Sequence, residues 1–381
     1  MMQLFRRTLP ILMLLLAAAI YASAAMPAQD APPEYVYVGT QGNRIEGLRL
    51  DPASGELTAT APANVDIRPT WLLTHPSLPV LYAVDDRSDR PGSVSAFNVN
   101  RETGELRRLD TVATQGVGTT HLTFDAASNT LLAANYNSGS VSSIAVHEDG
   151  SLGETASTII ESGSGPNRRQ MSAHAHSAVV DPSGRYVLVP DLGADRVFVY
   201  RFDRATHALS KDDANPSRAF VAPFGSGPRH IVFGADGRFA YLITELSADV
   251  MVLRWDASQG RLRLVQSLPV SSAGYTGAKS GAEIAVSRDG RFVYAADRGA
   301  NEIVVYRVDV ASGALSEIQR ASSNGVKPWG FGIDPSGKWL LIANQASGTV
   351  TVLGVDPLSG LLKSTRNSAP VRNAVSIAFV R

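Results

Sequence analysis

The sequence predicts an all-β fold, a seven-bladed β-propeller of four-stranded antiparallel blades, its ring closed by N- and C-terminal strands sharing one blade. Three observations predict it. A strand–turn–strand unit recurs, its tight turns beginning at His75, Asp125, Asp181, Gly234, Ser287 and Asp334, with successive spacings of 50, 56, 53, 53 and 47 residues. That period, with strands only, is in the range of propeller blades. Glycine (33) and proline (21) punctuate short Val- and Tyr-containing runs while charged residues make up only 18%, as in many short strands joined by turns. The chain also begins and ends on complementary half-blades.

The elements follow in order. Residues 1–25 read as a signal peptide: Arg6 and Arg7 form a basic start, Ile11 to Ile20 an apolar run, and Ala22-Ser23-Ala24 a small-residue cleavage site. The apolar run is short for a bilayer span of ~20 residues. Residues 26–33 read as a linker, and 34–381 as the propeller. "EYVYVGT" (34–40) matches a second strand with no first strand before it, and "VSIAFVR" (375–381) a first strand with nothing after it. Together they make blade 1 and close the ring, removing the open edges of a linear array. Blades 2 to 7 then open at Trp71, His121, His176, His230, Glu283 and Gly330. Third strands such as "DRVFVYRF" (195–202) lead into turns such as "DVASGAL" (309–315) and a fourth strand.

Composition excludes several functions. The formal net charge is +0, which gives no electrostatic footprint for nucleic acid or an anionic membrane. The chain has no cysteine, so disulfides, thiol catalysis, zinc–thiolate sites and a lipid-anchor cysteine are excluded. The expectation is a periplasmic or secreted monomer with no cofactor, whose partner is a small molecule.

In an antiparallel pair, the start of strand 1 and the end of strand 2 share one end of the blade, and the hairpin turn lies at the other. The turn face carries solvated sequences such as "DPSG" and "GADG". The opposite face collects His121, His174, His176, Arg229, His230 and Glu283 at strand-1 starts, and Asp85, Asp86, Asn135, Tyr136, Asp191, Glu245, Arg298, Asn344 and Gln345 at strand-2 ends. These converge on one mouth of the central channel, a site with acids, bases and cations on a rigid scaffold. Each has a plainer reading. His121 is equally a hydrogen-bonded channel plug. Asp85 and Asp191 suit turn caps, Arg229 and Glu245 an ion pair, and Asn135 and Asn344 backbone partners. "HAH" (174–176) resembles a metal-ligand spacing, but further ligands are short and Arg229 and Arg298 oppose a divalent ion, so no metal is expected. "GSGPRH" (225–230) is followed by no helix and no Lys-Ser/Thr, so it reads as a rigid turn presenting Arg229 and His230 rather than a phosphate loop.

The stretches "NRRQMSAHAHS" (167–177), "GSGPRHIVF" (225–233), "YLITELSADV" (241–250), "AEIAVSRDGRFVYAADRGANEIVVYRV" (282–308) and "GFGIDPSGKWLLIANQASGTVTV" (330–352) carry a resemblance. Over 34–381 the chain is similar to the seven-bladed β-propeller lactonases, which include bacterial propeller-type 6-phosphogluconolactonase and fungal 3-carboxy-cis,cis-muconate cyclase. The resemblance implies His176, Arg229, Glu245 and Arg298 as the catalytic group, with His174, His230, Glu283, Asp191, His121 and Asn344 binding substrate. One departure is "KPWGF" (327–331), where many relatives carry an arginine; Trp329 stands there, and Lys327 is the nearest cation. The implied activity is hydrolysis of a sugar lactone by water attack at the ring ester carbonyl. The alternatives are a cycloisomerase of an unsaturated dicarboxylate and a non-enzymatic exported binding propeller. Export and Trp329 both favour a non-phosphorylated lactone.

Overall fold

A computed structural model describes residues 34–211 and 218–380. The signal peptide and linker expected in 1–33 lie outside the described residues. Seven antiparallel sheets form the blades, and the described residues contain no α-helix. Strand Ala374–Val380 pairs with Glu34–Thr40, so both ends of the chain share blade 1 as expected. Among the described residues no helix is long and apolar enough to cross a membrane.

Each second strand is buried along its length, as in Phe239–Thr244 and Phe292–Asp297. Its alternate side chains pack against the blades on either side, which is why the run is apolar throughout instead of alternating. The blade 5–6 seam, for example, packs Tyr241 and Ile243 against Val293 and Val304. An aromatic latch repeats around the ring. Tyr37, Tyr82, Tyr241 and Tyr294 each donate from the hydroxyl to a glycine carbonyl in the next blade's outer turn, at 2.7, 2.9, 3.3 and 3.0 Å. Trp339 does the same across the closing seam, from Nε1 to Pro52 O at 3.1 Å. The outer-turn glycine is required twice over. At Gly313 φ is +72°, and a Cβ would lie 2.3 Å from the Phe239 ring.

Blade 4 departs from the repeat. Its first strand is only Val179–Val180, preceded by an isolated bridge between Ala175 and Asp191. Residues 171 and 172, which the pattern read as extended, form a bend, and 173–174 lie outside any strand. Both histidine rings contact the Tyr136 ring, at 4.5 Å for His174 and 5.5 Å for His176, but only His176 lines the mouth cavity described below.

Candidate active site

One backbone contact recurs in all seven blades and fixes the mouth. The residue after each second strand donates its N–H to a carbonyl in the loop before the first strand. The pairs are Gln41–Asn373, Asp86–Arg68, Tyr136–Gly118, Leu192–His174, Glu245–Gly227, Arg298–Ser280 and Gln345–Lys327, at 2.7–3.1 Å. These seven residues form a ring around the channel mouth. Gln41, Asp86, Tyr136, Glu245 and Arg298 from this ring line a cavity of about 770 Å³.

Glu245 is the centre of the site. It is 3% exposed. Its Oε1 accepts from Arg298 Nη2 at 2.8 Å and from Arg169 Nη1 at 2.5 Å. Its Oε2 accepts from Arg229 Nε at 3.2 Å and lies 3.5 Å from His176 Nε2. Burial acts to raise this carboxyl, but Arg298, the His176 contact and Arg229 together hold it well below the usual carboxylate range. Glu245 stays ionised. Burial, then the Arg229 charge, pushes His176 down to about 4, so its imidazole is neutral at neutral pH. His176 Nδ1 and Arg298 Nη1 are buried with no hydrogen-bond partner among the described residues.

Two of the arginines are locked. Arg229 Nη1 donates to Ala282 O at 2.6 Å, and its side chain is 3% exposed. Arg298 donates from Nε and Nη2 to Ser280 Oγ at 3.0 and 2.8 Å and stacks 4.3 Å from the Trp329 ring centroid. Trp329, the departure noted in the sequence, thus supplies a cation–π platform for Arg298. Arg169 was quoted in the sequence motif without a role, and it proves to be a direct partner of Glu245. Chain distance hid it, because its partner is 76 residues away.

The four residues implied as catalytic come together, since Glu245 touches His176, Arg229 and Arg298. Arg229, however, lies under the cavity and is not among its lining residues. The six residues expected to bind substrate also do not line it, and each has a physical reason. His174 stacks on Tyr136, with ring centroids 4.5 Å apart, and its Nδ1 bonds Tyr136 O at 2.8 Å. His121 and His230 pack around Trp71 in the channel, at 4.3 and 5.3 Å between ring centroids. Burial holds both imidazoles well below their ordinary pKa, so they are neutral packing groups. Glu283 accepts from His230 Nδ1 at 2.8 Å, and burial raises its carboxyl. Asp191 caps its own loop, accepting from His174 N and Ala194 N at 2.8 and 2.7 Å. Asn344 is buried against Thr351 Oγ1 at 2.9 Å.

The mouth is more cationic than the sequence reading expected. Arg68, Arg169, Lys279, Arg298 and Lys327 line the cavity against the carboxyls of Asp86 and Glu245. Lys327 holds a left-handed backbone, φ 57°, pinned by Asn301 Oδ1 accepting its N–H at 2.7 Å. A strained non-glycine residue at a cavity wall is characteristic of functional sites.

A propeller with a mouth cavity, a buried ionised carboxylate, a neutral histidine and clustered arginines defines a propeller enzyme. The chain belongs to the family described as "Lactonase, 7-bladed beta-propeller", which matches residues 35–379. It is 32% identical over 346 residues to a 6-phosphogluconolactonase of Bacillus subtilis, covering 91% of this chain and 96% of that one. A 6-phosphogluconolactonase of Formosa agariphila is 30% identical over 341 residues, covering 88% and 95%. Among solved structures, the periplasmic gluconolactonase of Pseudomonas aeruginosa superposes with a TM-score of 0.83 at 34% identity, covering 92% of this chain and 99% of that one.

Proposed function

We propose that the protein hydrolyses a sugar lactone at the channel mouth. The observation that carries this reading is the pairing of Glu245 Oε2 with His176 Nε2, 3.5 Å apart at the wall of the cavity, beside Arg298. Lactone opening needs a proton acceptor for water, a donor for the developing oxyanion and a proton for the leaving alkoxide. The Glu245–His176 pair takes the proton from water, and it lands between a carboxylate oxygen and an imidazole nitrogen that together bind it better than either alone. The water oxygen bonds to the ring carbonyl carbon. The oxyanion faces the guanidinium of Arg298, which lines the cavity beside Glu245. Collapse re-forms the carbonyl and breaks the ring C–O bond, and the pair returns its proton to the alkoxide. The product acid ionises to solvent. Arg229 and Arg298 keep Glu245 charged and aimed.

The order of residues 1–25 supports export, and the Pseudomonas relative is described as periplasmic. The expected location is the periplasm or the medium, checked by cell fractionation. The activity test is a panel of glucono-δ-lactone, 6-phosphogluconolactone and a muconolactone with purified protein, with and without chelator. Opening of a sugar lactone without chelator sensitivity is expected. Turnover of the muconolactone alone would replace this reading with the cycloisomerase.

A further inference from the structure

Of the three arginines on Glu245, one is built to move. Arg229 and Arg298 are tied to Ala282 and Ser280 as well as to the carboxylate, and their side chains are 3% and 10% exposed. Arg169 is 43% exposed and lines the cavity. Among the described residues its guanidinium bonds only Glu245 and the Tyr136 hydroxyl, the latter at 3.1 Å. Its backbone, by contrast, is fixed. Arg169 N donates to Asn167 Oδ1 at 3.0 Å, and Asn167 N to Gln170 Oε1 at 3.1 Å. Gln170 is fully buried and donates to Leu192 O and Asp195 Oδ1 at 2.8 and 2.7 Å. The loop holds its place while the side chain can swing.

The contact it makes is also redundant where it ends. Oε1 of Glu245 already accepts from Arg298, so losing Arg169 leaves no buried oxygen unpaired. Only the arginine end of this ion pair is exposed, and on leaving it gives up one contact to a carboxylate that Arg298 and Arg229 still hold. Arg68, Lys279 and Lys327 line the same cavity, so an anionic group is drawn to the mouth whatever Arg169 does. A guanidinium prefers to pair a phosphate or carboxylate bidentately, a geometry its single Nη1 contact with Glu245 does not use.

Resting on the hydrolase reading above, we infer that Arg169 is a positioning residue that senses an anionic substituent on the lactone: it leaves Glu245 for that anion, and the Glu245–His176 pair becomes a stronger proton acceptor. With one cation gone, the carboxylate attracts the water proton more strongly, and the imidazolium that forms beside it is better stabilised. Recognition of the substituent and activation of water are thereby one event. A neutral lactone leaves the clamp in place and meets a weaker base.

The test compares wild type, Arg169→Gln and Arg169→Lys on three lactones: neutral glucono-δ-lactone, 6-phosphogluconolactone carrying a phosphate, and glucaro-1,4-lactone carrying a carboxylate. In the Gln variant KM rises about tenfold or more for the anionic lactone that Arg169 recognises, while kcat falls by less. The lactone showing that rise identifies the anion. On the neutral lactone kcat increases by up to about tenfold, and the acid limb of its pH profile moves to higher pH. Arg169→Lys recovers part of the anionic KM. Equal loss of kcat on all three lactones with an unmoved acid limb would overturn the sensor while leaving the hydrolase. So would an unchanged KM on both anionic lactones. A wild type that opens none of the three overturns the hydrolase reading, and the sensor falls with it.

Discussion

Two adjacent registers at the mouth do different work. The last residue of each second strand turns inward and serves the fold. Asp85 Oδ1 accepts Arg68 N at 2.9 Å, Asp297 Oδ1 accepts Gly299 N and Ala300 N at 3.0 Å each, and Asn135 Nδ2 donates to Ser142 Oγ at 3.0 Å. The residue one step on faces the cavity in five of the seven blades. Asp86, Tyr136, Glu245 and Arg298 all occupy that second ring. The lesson is that a shift of one residue at a strand end exchanges a buried cap for a functional group, as pleat alternation requires.

The comparison breaks most sharply at Glu245. Glu245→Gln removes both the charge and the acceptor while keeping the shape, and kcat on the sugar lactone is expected to fall by about 10³-fold, within the usual range for loss of an acid–base group. Steady-state kinetics at saturating lactone checks this. Retention of more than a tenth of the rate would move the chemistry elsewhere on the ring.

Arg229→Ala comes next. Arg229 does not line the cavity, so its effect passes through Glu245 and His176. Loss of about 10²-fold in kcat is expected, together with a lower Tm, because a buried carboxylate loses a partner. His176 should titrate higher in the variant, since the Arg229 charge depresses it. An unmoved His176 resonance in an NMR titration would show that the arginine acts only on stability.

Asp86 sharpens the contrast within the ring. It stands at the Glu245 register in blade 2, yet burial, opposed by Arg68, pushes its carboxyl up to about 6. One carboxylate is held charged by arginines, and the other is kept close to neutral pH by desolvation. Asp86 therefore gains its negative charge as pH rises through about 6. For an anionic lactone, that charge opposes binding, so KM should rise by a few-fold above pH 6 in wild type. In Asp86→Asn the rise disappears and kcat changes little. A wild-type KM that is flat between pH 5 and 8 would place Asp86 away from the substrate anion.

Much of this architecture was legible in the sequence, because a propeller repeats one local rule and the period exposes it. The turn positions, the shared closing blade and the mouth face all follow from strand alternation. Glu245, Arg298 and His176 were reached from the same rule. Asp191 and Asn344 were not separated from their neighbours, because both registers carry polar residues and only the loop hydrogen bonds distinguish them. His174 stands outside the short first strand of blade 4 and stacks on Tyr136, a contact between blades that the repeat does not encode. Arg169 was hidden because a loop between blades carries no period at all.

The inner register supplies the smallest expected effect on turnover and the clearest one on stability. Asp191 Oδ1 is satisfied by two backbone N–H groups, while its Oδ2 and the buried Oε2 of Glu161 have no other hydrogen-bond partner among the described residues. Glu161 Oε1 accepts from the Tyr200 hydroxyl at 3.1 Å. Burial first, and then the Asp191 carboxylate, raise Glu161 well above its ordinary range. A carboxyl whose folded pKa is raised binds its proton more tightly when folded. Stability is therefore lost as pH rises from the ordinary carboxyl pKa toward the raised one. Asp191→Asn keeps the loop cap through its amide oxygen and removes the neighbouring negative charge, so the folded chain no longer has to hold a proton on Glu161 at high pH. The gain is on the order of 1 kcal/mol, a rise of about 2 °C in Tm for a chain of this size. It should be present at pH 8 and absent below about pH 4, where Glu161 is protonated in both folded and unfolded chains. Turnover stays within a few-fold of wild type, since Asp191 lies outside the cavity. Calorimetry at the two pH values reads the difference, and an equal Tm shift at both would mean that the two carboxyls do not share a proton.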